Sequence, residues 1–446
     1  MSDVTGGREE LSTSEAGASD VTGGREEVDV SDASTSEATG GRQTTGPADA
    51  TGTSDATGLA DATGPADATG AAKPAGGREA QLRSSGLRPG WTTGACATAA
   101  TTAAYTALLT GEFPDPVTIT LPKGQRPAFA LAAEELTERQ QAMAAVVKDA
   151  GDDPDVTHGA VVRATVRPAA PGSGVAFRAG PGVGTVTKAG LPLPVGEPAI
   201  NPVPREMMRA AVAEVAARHG GTGDVEIEIS IDNGAEIARS TWNPRLGILG
   251  GLSVLGTTGI VVPYSCSAWI DSIRRGVDVA RAAGRTHVAG CTGSTSEKVA
   301  VAEYGLPEDA LLDMGDFAGA VLKYLRRHPV DRLTIAGGFA KLSKLAAGHL
   351  DLHSARSQVD KGFLAGLARE GGADEELAAA VAAANTGLEA VQRCGAAGVP
   401  LGDLVARAAR ATALGVLREA PVAVDVICID RAGAIVGRCE PLANRA

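Results

Sequence analysis

The chain has 446 residues, a formal net charge of −12 and only 3% aromatic residues. It contains no lysine- or arginine-rich block with interleaved aromatics and no run of about 18 apolar residues, which argues against nucleic-acid-binding and membrane-spanning proteins. Six scattered cysteines without CxxC pairs, and a start that lacks a signal-peptide pattern, predict a cytoplasmic protein with neither disulfides nor a zinc ribbon.

Residues 1–83 are predicted to form a disordered tail. The sequence SDVTGGREE occurs at Ser2–Glu10 and again at Ser19–Glu27, and DATG occurs four times further along. The first aromatic residue is Trp91, so the tail cannot bury enough apolar surface to offset the entropy lost on ordering. Residues 1–80 carry 15 acidic and 5 basic side chains, a net charge of −10, which leaves −2 for the rest of the chain.

Residues 84–270 are predicted to form an α+β domain, because helix and strand patterns mix there without strict alternation. The alanine-rich run after TTG predicts a helix, and DVEIEISIDNG alternates apolar and polar residues as a strand does. The helices are expected over 94–109 and 205–219, and the strands over 116–122, 141–149, 160–166 and 224–234.

Residues 271–446 are predicted to form a Rossmann-like α/β domain. Short apolar strands alternate there with helical runs, and this βαβαβα order is typical of a parallel sheet covered by helices. The two domains are expected to meet between 263 and 284. The strands are expected over 285–290, 310–316 and 331–338, the helices over 296–305, 317–328, 339–349 and within 357–419, and a closing hairpin over 422–440.

The stretch RPGWTTGACATAA places two threonines and a cysteine at the start of the first predicted helix. Cys96 has small neighbours and no histidine nearby in sequence, so packing is the preferred interpretation over a reactive thiolate. Thr92 and Thr93 either bind a substrate carboxylate together with the free helix amides or cap the helix, and the sequence leaves both alternatives open.

A loop of small residues, AGCTGSTSEK, follows the first strand of the second half and opens a helix. Small residues there let the backbone approach a ligand, and an acid about twenty residues further along binds ribose hydroxyls in dinucleotide-type folds. The alternative is an ordinary helix N-cap. The residues predicted to bind an adenosyl cofactor are Gly290, Thr292, Gly293, Ser294, Thr295, Asp313, Asp316, Gly337 and Gly338.

Two aspartates are predicted as catalytic residues. Asp149 lies in KDAGDDPDVTHG, where several carboxylates are close enough to create a general base or bind a hard cation. Asp232 lies at the start of the glycine-rich stretch 231–261. A plain Asp- and Gly-rich turn is the alternative for the first of them. The residues predicted to bind an acidic substrate, through arginine forks, hydroxyls and amides, are Thr92, Thr93, Arg205, Asn233, Trp242, Asn243 and Arg245.

Five blocks of the sequence resemble the CbiD family: RPGWTTGACA, KDAGDDPDVTHG, GEPAINPVPREM, IARSTWNPRLGILGGLSVLGTTGIV and GGFAKLSKLAAGHLDLHS. The resemblance runs in order from about Leu87 to the C-terminus. It implies transfer of a methyl group from S-adenosylmethionine to ring carbon 1 of cobalt-precorrin-5B, giving cobalt-precorrin-6A in anaerobic cobalamin biosynthesis. It implies cobalt only as part of the tetrapyrrole substrate, and no metal site of the protein itself.

The resemblance brings no set of catalytic residues with it, so the site residues rest on the sequence patterns alone. It leaves open a homo-oligomer and transient contact with other corrin-pathway enzymes. Two other functions remain as alternatives: a nucleotide- or phosphate-ester-dependent enzyme that uses Gly290–Glu297 as its anion loop, and a tetrapyrrole carrier without catalysis.

Overall fold

The computed structural model describes residues 86–138 and 140–440, and the predicted tail over 1–83 lies outside the described residues. The described chain belongs to one compact unit and holds two five-stranded sheets with helices packed on them. The expected mixed α/β fold with parallel strands is confirmed. The domain boundary at residue 270 stays a prediction, and it falls within the helix Cys266–Ala282.

The first sheet lies in the N-terminal half and mixes antiparallel and parallel pairs. Its strands are β1 (Ala133–Thr137), β2 (Gln141–Val147), β3 (Val161–Pro168), β4 (Val175–Ala179) and β5 (Val225–Ile231). The order is β1–β2–β3–β5–β4, in which only β5 and β4 run parallel. Alternation along β5 buries Ile227 and Ile229 on one face and turns Glu226 to the other.

Two helices, α1 (Thr93–Thr110) and α2 (Pro202–His219), pack on the apolar face of this sheet. Nearly every residue of α1 is buried, because its small alanines and threonines allow close contact with α2 and with the sheet. The hydroxyl of Thr98 donates to the carbonyl of Gly94 at 2.8 Å, and those of Thr102 and Thr106 likewise donate one turn back. The buried hydroxyl of Thr101 has no hydrogen-bond partner among the described residues. Both helices agree with the predicted ones within a few residues.

The second sheet lies in the C-terminal half. Its strands are β6 (His287–Cys291), β7 (Leu311–Asp313), β8 (Arg332–Gly338), β9 (Ala423–Ile429) and β10 (Ile435–Cys439). The order is β7–β6–β8–β9–β10, parallel throughout except for the closing hairpin of β9 and β10. After β6, the chain adds β7 on one side of β6 and then β8 on its other side. Where the strand order reverses in this way, a crevice lies at the carboxyl ends of the strands.

Helices cover both faces of the second sheet. The remaining helices of the described chain are α3 (Gly234–Ala238), α4 (Cys266–Ala282), α5 (Ser294–Tyr304), α6 (Ala318–Leu325), α7 (Phe339–Ala346), α8 (Lys361–Glu370), α9 (Glu375–Ala383), α10 (Gly387–Ala396) and α11 (Leu401–Leu417), with a 3₁₀ turn at Glu308–Ala310. Helix α5 packs on Ala289 and Cys291, whereas α4, α6, α7 and α11 pack on the opposite face around Leu333 and Ile335.

Four of the longer elements lie outside the predicted ones: β1, β4, α3 and α4. The strands β1 and β4 are the edges of the first sheet, where exposed polar residues weaken the alternation that identifies a strand. Conversely, the strand predicted over 116–122 shortens to Val117–Thr118, paired with Ala128–Phe129.

None of the helices in the described ranges is both long and apolar enough to cross a bilayer. The other two-residue strands are Gly90–Trp91, Gly182–Val183, Thr185–Val186, Ile248–Leu249, Gly251–Leu252 and Ile260–Val261.

Candidate functional site

Backbone hydrogen bonds draw together the carboxyl ends of β6, β7 and β8. The amide of Thr292 donates to the carbonyl of Ala336 at 3.0 Å, and the amide of Met314 donates to the carbonyl of Cys291 at 2.8 Å. The residues at and just after the ends of these strands, 292–295, 313–316 and 337–338, therefore form one surface, the strand-end rim. Eight of the nine residues predicted to bind a cofactor lie on this rim.

The rim is narrow at one glycine and open at two others. A Cβ on Gly337 would lie 2.6 Å from Cγ2 of Thr292, so a larger residue there must displace that threonine. A Cβ on Gly293 or Gly338 would meet no atom within 4 Å. Gly290 is the ninth predicted residue and lies apart, buried within β6, where an added Cβ would contact core atoms 3.4 Å away.

Helix α5 begins on the rim without a side-chain cap. Gly293 is its N-cap residue, and the hydroxyl of Ser296 donates to the Gly293 carbonyl at 2.7 Å rather than accepting from a first-turn amide. Ser294 and Thr295 are exposed in this first turn. Uncapped first-turn amides and the helix dipole together favour an electronegative ligand atom at this place.

Asp316 has unused hydrogen-bonding capacity on the rim. Its Oδ1 is buried and has no aligned donor among the described residues, although Nζ of Lys341 lies 3.2 Å away. The ammonium of Lys341 also donates to the carbonyl of Thr292 at 3.2 Å. The carboxylate can therefore accept a hydrogen bond from a ligand hydroxyl.

An ion pair joins the two halves of the described chain beside the rim. Arg245 donates to both carboxylate oxygens of Glu297 on α5, at 2.8 and 3.2 Å. Its guanidinium carbon also lies 4.6 Å from the ring centroid of Trp242, a cation–π contact. Arg245 is predicted to hold a substrate carboxylate, but its guanidinium binds a carboxylate of the protein itself. A small pocket between Trp242, Arg245 and Asp313 reaches the rim.

The surroundings of Asp313 favour its protonated form. Burial and the neighbouring carboxylate of Glu297 raise the pKa of Asp313 to about 6, against the opposing influence of Arg245 and Lys341. Of the carboxylates on the rim, Asp313 is therefore the one suited to exchange a proton near neutral pH.

Asp313 is expected to destabilise the folded chain at neutral pH. Because its folded-state pKa is raised, the folded protein binds this proton more tightly than the unfolded chain does. The resulting cost is absent below about pH 4 and grows as the pH rises through 6, to about 1–2 kcal/mol. Thermal unfolding should show Asp313→Asn raising Tm at about pH 7.5 and changing it little near pH 4. Asp271→Asn, an exposed acid on α4, is the matched control, and equal changes in Tm of Asp313→Asn at both pH values would contradict the shift.

Backbone amides at the start of α1 have hydrogen-bond partners within the protein. Oγ1 of Thr92 accepts from the amide of Ala95 at 3.2 Å, and the amide of Gly94 donates to a loop carbonyl at 2.8 Å. Thr92 therefore caps the helix. Cys96 is fully buried, and burial raises the pKa of its thiol to about 12, which agrees with a packing role.

Two of the other predicted substrate residues form side-chain hydrogen bonds within the first half, and two show no such bond among the described residues. Arg205 donates to Glu197 at 2.9 Å and to a backbone carbonyl at 2.8 Å, and its side chain is mostly buried. Asn243 is buried and accepts a hydroxyl hydrogen bond at 3.0 Å, and Thr93 is buried as well. Asn233 is exposed, with a φ of 54°. A part for these residues in substrate binding stays a prediction.

Each predicted catalytic aspartate is paired with an arginine. Asp149 forms a bidentate pair with Arg88, with one contact at 2.9 Å, and Asp232 forms one with Arg163 at 2.7 and 2.8 Å. Hydrogen bonding from Arg88 lowers the pKa of Asp149 to about 2, and Arg163 likewise lowers the pKa of Asp232. Both carboxylates are ionised at neutral pH and are weak bases. Within the described ranges, no group of three or more His, Cys, Asp and Glu residues is placed to hold a metal ion.

Two aromatic residues were not predicted as site residues: Trp269, which contacts the strand-end rim, and Tyr264, which precedes it in the chain. Nε1 of Trp269 donates to the carbonyl of Asp313 at 2.9 Å, and a Cβ on Gly315, where φ is 53°, would lie 3.0 Å from the indole ring. Tyr264 precedes Trp269 in the segment VVPYSCSAW. The signal that could have identified them is the scarcity of aromatics, since the chain has only three tryptophans and four tyrosines.

Comparison with known proteins gives two family matches: residues 80–263 match the family CbiD, and residues 351–440 match the CbiD C-terminal domain. The cobalt-precorrin-5B C(1)-methyltransferase of Brucella anthropi is 62% identical over 352 residues, which cover 79% of this chain and 95% of that protein. The protein of the same name from Paramagnetospirillum magneticum is 63% identical over 351 residues, covering 79% and 98%. A crystal structure of the cobalamin biosynthesis protein CbiD from Archaeoglobus fulgidus is 28% identical, covering 60% of this chain and 83% of that one, with a TM-score of 0.33.

Proposed function

The chain belongs to the CbiD family, and on this premise we propose that it is a cobalt-precorrin-5B C1-methyltransferase of cobalamin biosynthesis. The observation that carries the proposal is the identity of 62–63% with proteins of that name, over 95–98% of their length. A cytoplasmic location, a homo-oligomer and contact with other corrin-pathway enzymes remain predictions.

The proposed methyl donor is S-adenosylmethionine, bound at the strand-end rim of a Rossmann-like C-terminal domain. The order β7–β6–β8–β9–β10 supports this, because ligands of doubly wound sheets bind where the strand order reverses. The absence of atoms within 4 Å of a Cβ added at Gly293 or Gly338 also supports it, because a ligand can approach the backbone closely there. Asp313 and Asp316 would accept hydrogen bonds from the ribose hydroxyls, and the uncapped amides of α5 would face the donor's polar groups.

The proposed substrate site lies in the first half, facing the rim. Arg245 and Trp242 support this placement, because they line a pocket together with Asp313. When bound, the donor would supply an electrophilic methyl group for ring carbon 1, with S-adenosylhomocysteine as the leaving product. The protein's contribution is to hold the two reactants in line, which supplies much of the acceleration. Asp313 can accept the proton that the macrocycle then releases, since its pKa of about 6 suits proton exchange better than a permanently ionised carboxylate.

Asp149 and Asp232 are expected to act through their charge rather than as bases. Asp149→Asn and Asp232→Asn each remove one negative charge and weaken an arginine pair, so turnover should fall about 3- to 30-fold without a change in the pH profile of kcat. Anaerobic turnover measured between about pH 6 and 9 tests this. A pH profile that loses its acidic limb would make that residue the base, and full turnover in either variant would remove that residue from the reaction.

Equilibrium binding tests the proposed function and separates it from the alternatives. Purified full-length chain should bind S-adenosylhomocysteine in competition with S-adenosylmethionine and should not bind ATP in its place. With cobalt-precorrin-5B and the donor, it should form a product one methyl group heavier. Binding of ATP without binding of the adenosyl compounds would favour the phosphate-ester alternative. Binding of the macrocycle without consumption of the donor would favour a carrier.

A further inference from the structure

Two aromatic side chains stand exposed on the segment that links the two halves of the described chain. Tyr264 is 68% exposed and Trp269 is 43% exposed, whereas the other tyrosines and tryptophans are buried or partly buried. Only these two of the seven tyrosines and tryptophans are exposed. Aromatic rings are typical of sites that bind flat ligands.

The backbone of Tyr264 is held in a conformation that its side chain does not favour. Its φ is 55°, in the left-handed region that a bulky residue rarely adopts. The amide of Tyr264 donates to Oδ1 of Asp153 at 2.7 Å, which ties it to the acidic loop of the first half. Neither the positive φ nor this hydrogen bond requires an aromatic ring, because each involves only the backbone of Tyr264. The ring therefore needs another explanation.

Trp269 is held at the other end of this segment, against the strand-end rim. Its indole donates to the carbonyl of Asp313, and Gly315 lies directly beneath the ring. Phe317 packs beside it, with ring centroids 6.2 Å apart. Trp269 follows Tyr264 by five residues, near the start of α4, so the segment that carries the two rings runs from the acidic loop to the rim.

We propose that Tyr264 and Trp269 form an aromatic wall against which the tetrapyrrole ring packs, so that ring carbon 1 faces the methyl donor on the rim. This inference rests on the proposed function. The rings add apolar contact to a ligand whose carboxylate arms need polar partners, and they fix the plane of the macrocycle relative to Asp313. They are substrate-binding residues without a chemical step of their own.

Substitution of Tyr264 by glycine separates binding from folding. Glycine adopts a positive φ without cost, so Tyr264→Gly should keep or raise Tm while it weakens cobalt-precorrin-5B binding about tenfold. Trp269→Ala should weaken macrocycle binding to a similar degree, and Tyr264→Phe and Trp269→Phe should restore most of it. Affinity of Tyr264→Gly for S-adenosylhomocysteine should stay within about twofold of the wild type. Val195→Ala, which removes another exposed apolar side chain, is the matched control.

Titration of each anaerobic protein with cobalt-precorrin-5B gives the affinities. Unchanged macrocycle affinity in both Tyr264→Gly and Trp269→Ala overturns the aromatic wall, while the proposed function stands if the wild type still methylates. A wild-type chain that binds the macrocycle without methylating it overturns the proposed function instead. The wall is then still supported if the two variants bind the macrocycle more weakly than the control.

Discussion

Replacement of Asp313 by alanine is expected to weaken S-adenosylmethionine binding about 30- to 100-fold. In the proposed complex this carboxylate accepts hydrogen bonds from the ribose at the carboxyl end of β7. Hydrogen bonds to a charged group contribute about 1.5–3 kcal/mol, and about 1.4 kcal/mol corresponds to a tenfold change in affinity. The affinity is measured by calorimetric titration with S-adenosylhomocysteine at about pH 7.5, where Asp313 is ionised.

The control for this variant is Asp271→Ala. Asp271 is an exposed acid on α4 that pairs with Arg274 one turn away at 3.0 Å, so its loss should leave donor affinity within about twofold. Asp313→Asn should lie between alanine and the wild type, because an amide oxygen still accepts one hydrogen bond. Wild-type donor affinity in Asp313→Ala would remove this residue from the donor site.

Arg245→Ala is expected to lower the free energy of unfolding by about 2–3 kcal/mol and turnover at least about tenfold. The change leaves the carboxylate of Glu297 without its bidentate partner in a partly buried place. It also removes the cation that opposes the mutual repulsion of Glu297 and Asp313, and it frees the ring of Trp242. Denaturant unfolding and anaerobic turnover measure the two effects.

A double-mutant cycle isolates the Arg245–Glu297 pair from the rest of the loss. Arg245→Ala, Glu297→Ala and the double variant should show a coupling of at least about 1 kcal/mol. Arg239→Ala is the matched control, since Arg239 forms an exposed pair with Glu236 on the short helix α3. Strictly additive effects of Arg245→Ala and Glu297→Ala would mean that the pair does not hold the two halves together.

Elements with a clear period were predictable from the sequence. The alternation of VEIEISI identified β5, the alanine run identified α1, and the strand–helix alternation of the second half identified the parallel sheet. The edge strands β1 and β4 escaped prediction because only one side of an edge strand is paired and its polar residues obscure the pattern.

The grouping of the candidate site residues was predictable only where they lie at the end of a strand. The rim could be anticipated because the ends of parallel strands meet at one edge of a sheet. The partners of the predicted residues could not, since Arg245 and Glu297 lie 52 positions apart, and Arg88 and Asp149 lie 61 apart. No local pattern encodes such a pairing, and it is this pairing that occupies Arg245 and keeps Asp149 ionised.

A crystal structure of the chain with bound S-adenosylhomocysteine tests the location of the donor most directly. The account predicts the adenosyl group at the carboxyl ends of β6, β7 and β8, with the ribose hydroxyls on Asp313 or Asp316 and the sulfur facing Trp269. Electron density for the adenosyl group in the first half of the chain, or anywhere away from 292–295 and 313–316, would contradict it.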